Sequence, residues 1–321
     1  MLGLRGEQGK FGRLEPRPTA IGLLVSGRLE KGVFAVEWTQ EFREPRHIRP
    51  YLDNGYLLTE INRLLWVDKG GKIIDSYTHP FFAFLHTVSL NSTRKKALVV
   101  SSGYDAVFEI DLQTKAETFH WFAWEHGFNP DEEGVWLAVS EENYSRYTKE
   151  GKKALKIGPS DYGEQGVLTA RRSAHPNVGV YDSFEEEKSI VISIGHKGSL
   201  YRIGLSDEKT QLVSEFLSPM PHGLFRFEDG WVINDTTKGE WWQMDASFMP
   251  KHRYSFRTLG GKVSECGDAE WIQQVVPVGE SLALALDANR GLIAIDLGKK
   301  RYTTYRPDEN WCIQDALEVV S

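Results

Sequence analysis

The sequence predicts an all-β fold, specifically a β-propeller of about seven blades closed into one ring. Three observations lead there. Short runs of alternating apolar and polar residues return every 39 to 49 residues, the turns between them are rich in Gly, Asp and Asn, and amphipathic helical periodicity is nearly absent.

The copies are read in chain order. The stretch AIGLLVSGRLEKGVFAVEW (residues 20–38) supplies strands with no inner strand before them. HIRPYLDNGYLLTEINRLLWVDKGGKI (47–73) is the first full copy. HTVSLNSTRKKALVVSSGYDAVFEIDL (86–112) is the best formed, with an inner strand over 87–90, a polar turn over 91–96, a second strand over 97–101, and a third ending in Ile110 and Asp111. HGFNPDEEGVWLAVSEENYSRYTKEGKKAL (126–155) is looser, and the count falls to six if residues 126–170 are an insertion. Copies from His175, His222 and Trp271 follow. WCIQDALEVV (311–320) is one more inner strand without room for a blade, so pairing it with the N-terminal strands would close the ring and hide open sheet edges. Residues 1–18 read as an extension and 19–321 as one domain.

Bulk properties agree with a soluble globular chain. The 321 residues are 40% hydrophobic and 26% charged with a net charge of −7, which argues against a general nucleic-acid binder. Two cysteines, Cys266 and Cys312, form no CxxC pair, so a reducing, cytoplasmic setting is expected. Neither a signal-peptide core nor an apolar run of membrane-spanning length is present. Phosphate-binding, dinucleotide-binding and HExxH motifs are missing, and Ser101-Ser102-Gly103 reads as a blade turn.

The blade starts carry the chemistry. Anchors fall at His47, His86, His126, His175, His222, Trp271 and Trp311, so five of seven are histidine in a chain with nine histidines. Equivalent positions of different blades face one end of the central channel, where several imidazoles can meet. Neutral imidazole is a good ligand for iron, copper, nickel and zinc. The expectation is that His86, His126, His175 and His222 hold one metal, with His47 as the alternate ligand or a substrate-facing neighbour. Iron(II) is the first choice, zinc or copper the next. Glu270 and Asp268, flanking Trp271, are the candidate acid–base residues, since a carboxylate beside a ligand histidine orients its ring. Trp124, Trp271 and Trp311 would wall a pocket for a small apolar or aromatic substrate. Trp66, Phe108, Tyr201 and Trp242 read as packing between blades, and His79, His120, His196 and His252 as surface residues.

The PHG segment at 221–223 and the apolar-Asp blade endings resemble the YVTN and NHL-like propellers, and the whole pattern is similar to a degenerate WD repeat. Four histidines on propeller blades also resemble the iron site of the carotenoid-cleaving oxygenases in ligand type and position. That resemblance implies oxygenase chemistry first, with lyase or hydrolase chemistry next. The alternative reading is a non-catalytic propeller that binds a protein or a small ligand on its top face, its histidines being structural.

Overall fold

The computed structural model describes residues 18–30, 33–52, 55–182, 187–262, 268–278, 282–296, 298–299, 301–306 and 312–317. It is a β-propeller. Five four-stranded antiparallel sheets follow one another along the chain, each in simple up-and-down order. The first blade holds β3 (His47–Tyr51), β4 (Gly55–Thr59), β5 (Leu64–Asp68) and β6 (Ile73–Tyr77). The second holds β7 (Leu85–Leu90), β8 (Lys96–Ser101), β9 (Ala106–Asp111) and β10 (Glu117–Phe122). The third runs from β13 (Pro176–Tyr181) through β14 (Ser189–Ile194) and β15 (Ser199–Gly204) to β16 (Thr210–Ser214). The fourth runs from β17 (His222–Phe227) through β18 (Gly230–Asp235) and β19 (Glu240–Met244) to β20 (Pro250–Ser255). The fifth runs from β21 (Ile272–Val278) through β22 (Leu282–Asp287) and β23 (Gly291–Asp296) to β24 (Arg301–Tyr305).

The expected seven blades are thus five four-stranded ones among the described residues. Residues 126–170 are an insertion, holding the helix α1 (Glu141–Lys149) and the parallel pair β11 (Trp136–Ala138) and β12 (Ala154–Lys156). Ser140 caps α1 by accepting the Asn143 N–H at 3.2 Å. No helix among the described residues is long and apolar enough to cross a membrane.

The second strands explain why the sequence shows apolar runs such as ALVV and SIVIS. Each is buried on both faces, and alternate residues enter different blade junctions. Val99 packs toward the first blade and Leu98 and Val100 toward the third. Likewise Trp231 and Ile233 join the third blade, while Val232 joins the fifth. Phe108 and Trp242 are fully buried in such junctions, and Trp66 and Tyr201 pack against them, as expected.

A side-chain hydrogen bond crosses each of the four junctions between successive blades, near the same end of the inner strands. Thr59 Oγ1 donates to the His86 carbonyl at 3.0 Å, and Thr87 Oγ1 accepts the Gly179 N–H at 3.2 Å. Asn177 Nδ2 donates to the Pro221 carbonyl at 3.2 Å, and Asn234 Nδ2 to the Gln273 carbonyl at 3.1 Å.

Closure differs from expectation. The N-terminal strands β1 (Ile21–Glu30) and β2 (Val33–Arg43) pair only with each other, and residues 312–317 form no strand. Side chains bridge the gap instead. The hydroxyl of Tyr305 donates to the Phe34 carbonyl at 2.8 Å, and Leu24, Phe42 and Leu317 pack with Ile48 and Leu58 of the first blade. Asp315 Oδ2 accepts the Ile48 N–H at 3.0 Å and an Arg49 N–H at 2.9 Å.

Asp315 is therefore the closing residue. Asp315→Ala leaves the Ile48 N–H without its acceptor and should cost about 3 kcal/mol of stability, while Asp315→Asn, which keeps an acceptor, should cost less. Thermal melts of both variants check this. A wild-type melting curve for Asp315→Ala would refute closure through this residue.

Candidate functional site

The inner strands begin irregularly. In β7, Leu85 pairs with Ser101 and Val88 with Val99, so His86 and Thr87 together oppose one residue. The same two-against-one bulge puts Asn177 and Val178 opposite Ser193 in β13, and Gly223 and Leu224 opposite Ile233 in β17. In β21 the shift falls at Gln273. A bulge breaks the alternation of side chains and re-aims one of them. Leu85 and Val88, three apart, consequently pack in one junction, and so do Ile272 and Val275.

The bulge residues line a single cavity at this end of the channel. His86, Thr87, Asn177, Val178, Gly223, Leu224 and Gln273 are joined there by Arg46, His47, His222, Gln274 and Gln314. The space open to the centre of a water-sized sphere is about 20 Å³, and roughly 10–15 Å³ of such space holds one water. The enclosed part of the mouth therefore has room for one or two water-sized groups.

Three of the expected histidines gather at this end, and two of them, His86 and His222, line the cavity. The His86 ring lies 5.6 Å from that of His175 and 5.8 Å from that of His222, centre to centre. His222 contacts the Thr236 hydroxyl through Nδ1 at 2.9 Å. His47 borders the cavity with both ring nitrogens engaged: Nδ1 accepts the Val88 N–H at 3.1 Å, and Nε2 lies 3.4 Å from Asp315 Oδ2. His175 has its backbone N–H held at 2.7 Å by Asp105, a buried carboxylate that also takes the Ala174 N–H and the Trp124 indole N–H. Burial raises the pKa of Asp105.

His126 does not join them. A single helical turn after β10 leaves it at the outer rim, stacked on Trp121 and 3.0 Å from Glu208. Trp124 is fully buried core rather than a pocket wall. Glu270 is locked to Arg290 at 2.7 Å and Lys262 at 2.9 Å, and Asp268 is exposed, so neither reaches the cavity. Burial acts to raise the Glu270 pKa, but the Arg290 and Lys262 bonds overcome it and leave the pKa lowered. Half-buried Trp271 stands 6.0 Å from His222, while Trp311 lies outside the described residues.

Several residues escaped the sequence reading. Phe84, at a positive φ of 49°, has the guanidinium of Arg46 over its ring at 3.9 Å and that of Arg172 at 4.5 Å. Arg46 is balanced by buried Glu44 at 3.1 Å, and Arg172 donates to the Val167 and Gln165 carbonyls. His196, read as a surface residue, is half-buried and stacks on His175 at 5.4 Å. Only the bulge register of the folded strands aligns His86 with Asn177, Gly223 and Gln273 rather than with the other histidines.

The imidazoles are neutral. Desolvation holds His47 at about 3, aided by Arg49 and opposed by Asp315. Desolvation also holds His222 at about 3, and it keeps His86 and His175 well below 6.5 with help from Arg46 and Arg172. Among the described residues, no group of three or more His, Cys, Asp or Glu side chains is arranged to hold a metal ion. The four-histidine arrangement expected from the oxygenase resemblance is not assembled, since His126 is remote.

No family model matches the chain, and no curated protein matches it. Solved structures do. A chain in the crystal structure of a nidogen–laminin complex is 12% identical with a TM-score of 0.54, covering 90% of this chain and 94% of that one. A protein of unknown function from Bacteroides caccae is 11% identical with a TM-score of 0.52, covering 87% and 91%. The β-propeller domain of Cps50 (Swd1) from Myceliophteria thermophila is 9% identical with a TM-score of 0.48, covering 87% and 68%. At such identities the likeness is one of fold, and with the strand order that fold is the β-propeller.

Two predictions follow from the geometry. Gly223 has φ +67°, and an added Cβ would stand 2.2 Å from Gln274 Oε1 and 2.3 Å from Asn234 Nδ2. Gly223→Ala should destabilise the protein by about 1–3 kcal/mol, readable by urea denaturation, and a neutral effect would show that the bulge is slack. The second concerns pH. Unfolded histidines bind protons below about 6.5, whereas His47 and His222 stay neutral to about 3 when folded. Protons thus favour the unfolded chain, and stability, full above about pH 6.5, falls as pH drops toward 3. His47→Asn, whose amide oxygen can take the Val88 N–H, should flatten that fall. An identical pH profile for the variant would contradict the burial of His47.

Proposed function

We propose that this protein is a ligand-binding propeller whose binding centre is the bulge-lined mouth of its channel. One observation carries the reading. Three side-chain atoms of the lining, His86 Nε2, Asn177 Oδ1 and Gln274 Oε1, are buried with no hydrogen-bond partner in the protein. Leaving such atoms bare costs about 1–3 kcal/mol each, and three on one small cavity support a reading in which something is bound there. The proposed roles are His86, Asn177 and Gln274 as contact residues. His47 and His222 are positioned around them, and Arg46, Phe84 and Arg172 support the wall.

A second reading keeps the transition metal. Its support is the meeting of three neutral imidazoles, His86, His175 and His222, at neighbouring centre distances of 5.6 and 5.8 Å. Iron(II), zinc or copper would suit such donors. The two readings separate in one experiment. Metal analysis of protein purified without an affinity tag and reconstituted with iron(II), zinc and copper in turn should find no stoichiometric metal. A ligand-observed NMR screen of small fragments should find binders that His86→Ala loses without unfolding. Stoichiometric metal that disappears in His86→Ala would instead establish the metal site and overturn the first reading.

A further inference from the structure

We infer that the group taken by the channel mouth is an uncharged hydroxyl, carried by a small neutral alcohol or polyol. This rests on the binding centre proposed above and names its ligand class. The unpartnered atoms set the demand. Asn177 spends its amide nitrogen on the Pro221 carbonyl at 3.2 Å, so the atom it leaves to the cavity is its oxygen. Gln274 also presents an oxygen. Asn234, beside Gly223, repeats the pattern: its nitrogen goes to the Gln273 carbonyl and its oxygen is left over. Carboxamide oxygens accept and do not donate, so the occupant must supply protons to them. A bare anion supplies none.

Charge removes the opposite alternative. The lining residues include Arg46 and contain no aspartate or glutamate, and the Glu44 carboxylate is spent on Arg46 at 3.1 Å. A cation would face amide oxygens but also a guanidinium, with no carboxylate in the wall to offset it. Size removes most of the remainder, since only one or two water-sized groups fit. A hydroxyl meets all three conditions. It donates one hydrogen bond and accepts others, so it can bond an amide oxygen while its own oxygen meets His86 Nε2. Val178 and Leu224 supply apolar wall for the carbon that bears it.

The test uses crystals of the full chain soaked separately in ethylene glycol, sodium bromide and rubidium chloride. The expected result is a glycol hydroxyl within hydrogen-bond distance of His86 Nε2 and of the Asn177 or Gln274 amide oxygen. No anomalous bromide or rubidium peak should appear in the mouth. In solution, saturation-transfer NMR should show glycol contact with wild type and its loss in His86→Ala at unchanged melting temperature. A bromide or rubidium peak at this position would overturn the hydroxyl assignment while leaving the mouth a binding centre. So would a mouth that keeps ordered waters and admits no glycol. A dry cavity would overturn the assignment together with the reading it rests on.

Discussion

The rest of the structure depends on the bulge at the head of the inner strands. A regular strand sends its side chains alternately into the junctions on either side of its blade, leaving nothing for the channel. The extra residue in β7, β13, β17 and β21 breaks that alternation once and at the same end each time. One local defect, repeated four times, builds a polar mouth on an otherwise apolar ring. The same residues also hold the blades together. Thr87 and Asn177 are both wall of the cavity and bridges to the next inner strand. The proposed binding centre and the ring are therefore one piece of structure, built on the inner strands rather than on surface loops.

Much of the architecture was legible in the sequence because a blade has a strict grammar. The best-formed repeat matched its strands almost residue for residue, with β7, β8 and β9 where the alternation placed them. The count went astray at two places for different reasons. Residues 126–155 start with histidine and alternate like a blade, yet their apolar residues Val135 and Leu137 pack into the core between the first and second blades. The chain ends supply contacts for closure, through Asp315 and Leu317, without supplying a paired strand.

The site was legible in part. Matching histidines by type found His86, His175 and His222, which do gather, but it also matched His126, whose local chain turns outward after β10. Alignment by residue letter hides the bulge register, in which His86, Asn177, Gly223 and Gln273 share one place. Arg46 and Arg172 were invisible for another reason: only the folded ring brings two distant guanidiniums over one phenylalanine. Glu270 was named for its neighbour Trp271, whereas its own partner is Arg290, twenty positions along the chain.

Electrostatics then decides what the mouth is. The lining imidazoles and the Arg46 guanidinium, with His175 and Arg172 close by, could have made a cationic anion trap. Burial prevents it by keeping the rings uncharged, and Glu44 balances Arg46. The result is an almost neutral cavity, in which, on the proposed reading, hydrogen bonding rather than net charge would select the occupant. The most direct test of this account is an imidazole ¹⁵N NMR titration of the wild-type protein with assigned histidines. The account predicts that His86, His175 and His222 keep neutral-ring shifts from about pH 7 down to about pH 5. A His86 ring that takes up its proton within that range would contradict it.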